Sequence, residues 1–202
     1  VQSTTSPFWF KYGVFASSTS YLSTLFLDGA LNFGATTSTS TIGTFAGQTF
    51  ITASSTAGTT GFGLNALKSV STGENNTAFG FEAGTNLAGA GYNVAVGWRA
   101  LFSEQGNGNN VAVGAQAMLN SSGSGNVAVG TAALYQNGGW YNTAIGEGAG
   151  YNQTGGEGNI MIGHGANVPN LTGDNQLSIG NKIYGNLANG HIGIGTTSPW
   201  AK

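Results

Sequence analysis

Few side chains in this chain can do acid–base or metal chemistry. The acids are Asp28, Glu74, Glu82, Glu104, Glu147, Glu157 and Asp174, the histidines are His164 and His191, and cysteine is absent. Without cysteine, a zinc–thiolate centre, a disulfide framework and a thiol nucleophile are excluded. A glycosidase needs two carboxyl groups facing one sugar, and the register of these acids argues against such a pair. Glu82 lies two residues beyond a recurring glycine, Gly80, and Arg99 two beyond the next, Gly97. That spacing predicts a surface ion pair between neighbouring repeats, worth about 0–1 kcal/mol. Glu147 and Glu157 fall on a strand-turn and a return turn of one repeat, where no catalysis is expected. His164 and His191 have no carboxylate at ligand spacing and read as turn residues. Two aspartates, Asp28 and Asp174, are too few for a calcium-binding nonapeptide solenoid. The chain reads as non-enzymatic, with no metal and no cofactor.

Composition narrows the partners. Charged residues make up 6% of the 202, against roughly 25% in an ordinary domain. Five Lys and Arg cannot build a phosphate-tracking surface, so no nucleic-acid partner is expected. No run of about 20 apolar residues occurs, so no membrane insertion is expected. Glycine supplies 36 residues and apolar types 40%. That mixture fits a repetitive β-structure with tight turns better than a disordered linker. The first residue is Val; a removed leader or an excerpt would each account for it, and no signal peptide is visible.

The elements that position these residues come from an internal repeat. Glycines preceded by a bulky apolar residue fall at Gly63, Gly80, Gly97, Gly114, Gly130, Gly146, Gly163, Gly180 and Gly195, at spacings of 17, 17, 17, 16, 16, 17, 17 and 15. Before them stand Phe62, Phe79, Val96, Val113, Val129, Ile145, Ile162, Ile179 and Ile194. Two positions earlier stand Thr60, Thr77, Val94, Val111, Val127, Thr143, Ile160, Leu177 and Ile192, with mostly small residues between the two columns. Asn opens six consecutive units, at 76, 93, 110, 126, 142 and 159, and Ala follows seven anchors by three residues. Large residues at i and i+2 predict a short strand with one face buried. The Ala-Leu or Ala-Met pair after each anchor predicts a second short strand. The fold class expected is all-β: a parallel β-roll or β-solenoid of about nine rungs of 15–17 residues, stacked about 4.8 Å apart. The Asn column predicts an amide ladder, or a residue held in the left-handed turn conformation. Both strand faces are apolar, large on one and Ala on the other, while a thin solenoid has one interior. A homo-oligomer is therefore expected, with the small Ala face allowing close approach at a symmetry axis.

The strings NVAVGWRALFS, NVAVGAQAMLN, NVAVGTAALYQ and NTAIGEGAG resemble the head repeats of YadA-like trimeric autotransporter adhesins, also seen in some phage tail fibres. The resemblance covers about 59–198. It implies a left-handed parallel β-roll, a homotrimer, and binding of host glycan or extracellular matrix protein. The period is longer and more variable than that family's common spacing, which implies wider turns.

The division expected is 1–58 as a Ser/Thr-rich N-terminal cap or docking region of short strands, 59–198 as the repeat domain, and 199–202 as the start of a junction to a following segment. The cluster Phe8-Trp9-Phe10-Tyr12 reads as a plug or a docking element for the open end of the array. An acyltransferase hexapeptide solenoid is disfavoured, because it carries three six-residue units per coil and a well-placed histidine. A regular Thr-x-Thr ice-binding face is missing. Leu64, Phe81 and Trp98, each one residue past an anchor, form an apolar strip that reads as a subunit interface or a ligand platform. The turn aromatics Tyr92, Tyr135, Trp140, Tyr141 and Tyr151 are candidates for exposure. The function expected is a non-catalytic structural and adhesive segment of an extracellular trimeric fibre, at a cell surface or on a virion. The rivals are a phage receptor-binding fibre and a polysaccharide-degrading tailspike.

Overall fold

The computed structural model describes residues 40–45, 48–54, 58–103 and 108–198. The aromatic cluster at 8–12 and the strands expected around 25–33 lie outside them. Among the described residues, twelve strands form one sheet in sequential order. They are β1 (Ser40–Phe45), β2 (Gln48–Ser54), β3 (Thr59–Phe62), β4 (Thr77–Phe79), β5 (Val94–Val96), β6 (Val111–Val113), β7 (Val127–Val129), β8 (Thr143–Ile145), β9 (Ile160–Ile162), β10 (Gln176–Ile179), β11 (Ile183–Asn186) and β12 (His191–Ile194). From β3 to β10 every neighbouring pair is parallel. The pairs β1–β2 and β2–β3 are antiparallel, as are β10–β11 and β11–β12. No helix occurs in the described residues.

The marker glycines set the register. Phe62 pairs with Phe79, Phe79 with Val96, Val96 with Val113, and so on to Ile162 with Ile179. Each repeat is thus one lap of a solenoid. Parallel strands need a crossover of a dozen or more residues, and the period supplies it after a three-residue strand. The eight parallel strands enclose seven turns, fewer than the nine rungs expected. The last anchor, Gly195, follows an antiparallel strand, and Gly180 ends the column. Antiparallel pairs at both ends of the parallel stretch replace the bare ladder edge that an open solenoid would present.

The seven glycines from Gly63 to Gly163 share φ values between 118° and 137°, a region open essentially to glycine alone. A Cβ on Gly97 would sit 2.6 Å from the Gly114 carbonyl oxygen, and one on Gly130 2.6 Å from that of Gly146. Two independent constraints therefore select glycine at the six anchors from Gly63 to Gly146.

The interior is the Ala face, which reverses the expected orientation. Ala78, Ala95, Ala112, Ala128 and Ala144 at the strand centres are sealed from solvent, as is the second Ala column from Ala66 to Ala166. The large residues at i and i+2 point outward. The physical reason is width. Behind Ala95, Ala112 and Ala128 the same lap must also bury Leu101, Met118 and Leu134, and behind Gly61 it buries Leu67, which leaves no room for a second large side chain. Where the lap has Gly84 instead, Leu87 fills the space; where it has Gly150, Met161 at the centre of the next strand reaches into the space.

The second strand expected after each anchor is a run of turns instead. Residues two and four past the anchor take positive φ: Arg99 at 53° and Leu101 at 49°, Gln116 at 59° and Met118 at 50°. This backbone still bonds from lap to lap. The Leu101 N–H donates to the Ala117 carbonyl at 3.0 Å, and the Met118 N–H to that of Ala133 at 2.9 Å.

Candidate functional site

Three lines of side chains run along the stack, and each does something different. The first is internal. Every Asn of the opening column is buried. The Oδ1 of Asn110 accepts the Asn126 N–H at 2.9 Å, that of Asn126 accepts the Asn142 N–H at 2.8 Å, and that of Asn142 accepts the Asn159 N–H at 2.9 Å. The Nδ2 of Asn126 donates to the Gly139 carbonyl at 3.0 Å, and that of Asn142 to Gly156 at 3.0 Å. The ladder is thus side chain to backbone, with a direct amide–amide bond from Asn93 to Asn76 at 3.1 Å. The left-handed alternative belongs one residue earlier, to Asn75, Tyr92, Asn109, Gly125, Tyr141, Gly158 and Asn175. Gln176 closes the ladder at one end through its N–H on Asn159. Thr59 holds the corresponding place at the other end, buried, with its Oγ1 unpaired.

The second line is the outer strand face. It carries Phe, Val and Ile before each anchor, and Thr, Val, Ile and Leu two positions earlier. These are half-buried to exposed, reaching 57% at Phe79 and 42% at Ile145. The Phe62 and Phe79 rings stack with centroids 5.1 Å apart. No charged residue interrupts the outward positions of β3–β10.

The third line lies along the turns. Of the apolar strip, Phe81 and Trp98 are 42% and 47% exposed, while Leu64 is half-buried. The strip lasts three laps; the next copies are Ala115, Thr131 and Glu147. The expected ion pair is present, with Arg99 Nε 2.6 Å from Glu82 Oε2. The Arg99 guanidinium also lies 5.6 Å from the Trp98 ring centre and 5.1 Å from that of Phe102. Phe102 was not singled out in the sequence, though its position, five past an anchor, also carries Leu119, Tyr135 and Tyr151. The Tyr135 and Tyr151 rings stack at 4.8 Å, Tyr135 half-buried and Tyr151 exposed. Tyr92, Trp140 and Tyr141 are exposed.

The titratable residues do not gather. Glu147 and His164 stand exposed one residue past their anchors, and His191 opens β12. Glu157 is exposed on the return turn, its N–H donating to Asp174 Oδ1 at 2.8 Å. Asp28 and Glu104 lie outside the described residues. Among the described residues no three His, Asp or Glu cluster as metal ligands do, and no helix is long and apolar enough to cross a membrane. Comparison with protein-family models, curated proteins and solved structures finds no match to this chain.

Proposed function

We propose that the chain is a non-catalytic structural and adhesive segment of an extracellular fibre built from three copies of itself. One observation carries the reading: the outer face of β3–β10 is a continuous, uncharged double column of Val, Ile, Leu, Phe and Thr. Contiguous exposed apolar surface on this scale marks an interaction site. A second copy suits it well, because the face repeats with the same lap as the fold and so matches itself along its whole length. Rotational symmetry lets such patches close without leaving one open. The number three, and the setting at a cell surface or on a virion, rest on the likeness of the NVAVG repeats to adhesin heads. The rigid stack would then hold turns free to vary in sequence and to touch a target.

Two measurements test this reading. Light scattering on the purified chain should give three times the chain mass of 20.3 kDa. Beads coated with it should adhere to surfaces bearing glycans or matrix proteins. A monomer at micromolar concentration removes the fibre, and coated beads that behave like bare ones remove the adhesion.

A further inference from the structure

The aromatic strip differs in chemistry from the strand face, and the difference points to a different occupant. We infer that Phe81, Trp98 and Phe102, with the Glu82–Arg99 pair among them, form a stacking subsite for an uncharged saccharide. The inference deepens the adhesive reading and rests on it for its purpose.

Three features carry it. The rings stand on a stiff support: Phe81 and Trp98 occupy the same place on consecutive laps, joined by the Arg99 N–H donating to the Phe81 carbonyl at 2.9 Å. Neighbouring laps lie about 4.8 Å apart, so the two exposed side chains project side by side from adjacent laps. Next, a fixed polar group borders them. The 2.6 Å pair engages Arg99 Nε and Glu82 Oε2, and the guanidinium is held within cation–π range of Trp98 and Phe102. The Nη donors and the Oε1 acceptor are the groups that vicinal hydroxyls would engage, while the rings face the apolar C–H side of a pyranose. Finally, the pair is neutral as a unit, so it selects an uncharged ligand. It is also the one ion pair among the described residues of a chain with only 6% charged residues.

Size argues against a protein occupant. Phe81 and Trp98 are 42% and 47% exposed and Phe102 is half-buried, so only about half of the roughly 150–250 Å² that each ring could bury is open, well short of the roughly 800 Å² per partner of a stable protein interface. The strip cannot widen, because the next copies on its column are Ala115 and Thr131.

The test uses the full chain on a printed array of neutral and acidic oligosaccharides, with immobilised matrix proteins beside them. Binding to neutral glycans is expected. Trp98→Ala should lower it tenfold or more, and Arg99→Lys, which keeps charge but loses the planar fork, by a smaller factor. Neither change should alter the sedimentation coefficient or the urea midpoint. A silent array, a signal confined to acidic glycans or to matrix proteins, or Trp98→Ala binding like the parent each overturns the subsite. So does loss of assembly in Trp98→Ala, which would make the strip a contact between chains. A parent that sediments as a monomer but binds neutral glycans through Trp98 would sink the fibre and leave the subsite standing.

Discussion

A methyl group added at Gly97 meets two obstacles at once. Its backbone sits at φ 130°, and the new Cβ would lie 2.6 Å from the Gly114 carbonyl oxygen. Gly97→Ala is expected to destabilise by about 3 kcal/mol. Gly165 has φ 60° with open space where its Cβ would go, so Gly165→Ala should cost only about 1 kcal/mol. Urea midpoints of the two variants separate close approach from conformation alone; equal shifts would mean that the anchors do not touch. The Asn ladder makes a second prediction. Asn126→Ala strands the buried Asn142 N–H and leaves the Gly139 carbonyl with the Asn137 Nδ2 donor alone, and should cost about 2 kcal/mol. Thr59→Asn extends the ladder by one rung, with Oδ1 facing the Asn76 N–H, and should raise stability by about 1 kcal/mol. Thermal melts check both signs. The importance of Asn was legible because six copies share one register. Its role as a partner for backbone groups was not, since a residue type that also favours left-handed turns gives one sequence signal for two geometries.

At the level of one lap, strand identity was legible and strand orientation was not. Three residues with apolar side chains on both faces give no alternation to read. What decides is volume: the lap is too narrow for both a Val and a Leu, so Ala faces in. The turn half was misread for a related reason. Leu101 and Met118 adopt φ near 50°, a conformation leucine and methionine rarely take, so their sequence reads as strand. The Met161–Gly150 exchange tests the volume argument. Met161→Ala should open a cavity and cost about 2–4 kcal/mol. Gly150→Leu alone should clash, since a Cβ there already lies 3.0 Å from Met161 Sδ and 2.7 Å from Leu134 Cδ2. Combined, the two recreate the arrangement of Leu101 beside Ala112 on the next strand, and a double-mutant cycle should show a coupling of about 1–3 kcal/mol in favour of the pair. Additive losses would mean that the two sites do not share one space.

For the whole stack, the register of parallel pairing was written in the glycine spacings, and the end of the stack in the departure from them. The interval from Gly180 to Gly195 is 15, outside the 16–17 of the others, and there the chain turns back into the antiparallel β11 and β12. Ile194, 81% exposed, stands where a further lap would have hidden it only in part. The candidate strip was legible as a column, but its partner Phe102 was not, because the distance between columns depends on how the turn folds. In the proposed fibre, sister chains cover the Val/Ile face. Sedimentation velocity of the parent beside Val113→Glu/Ile145→Glu tests it most directly. Both replaced side chains point out of the sheet, so the variant should keep its β-structure by circular dichroism. A trimeric parent and a folded monomeric variant are expected; a monomeric parent, or a variant that assembles as the parent does, would mean that sister chains do not cover this face.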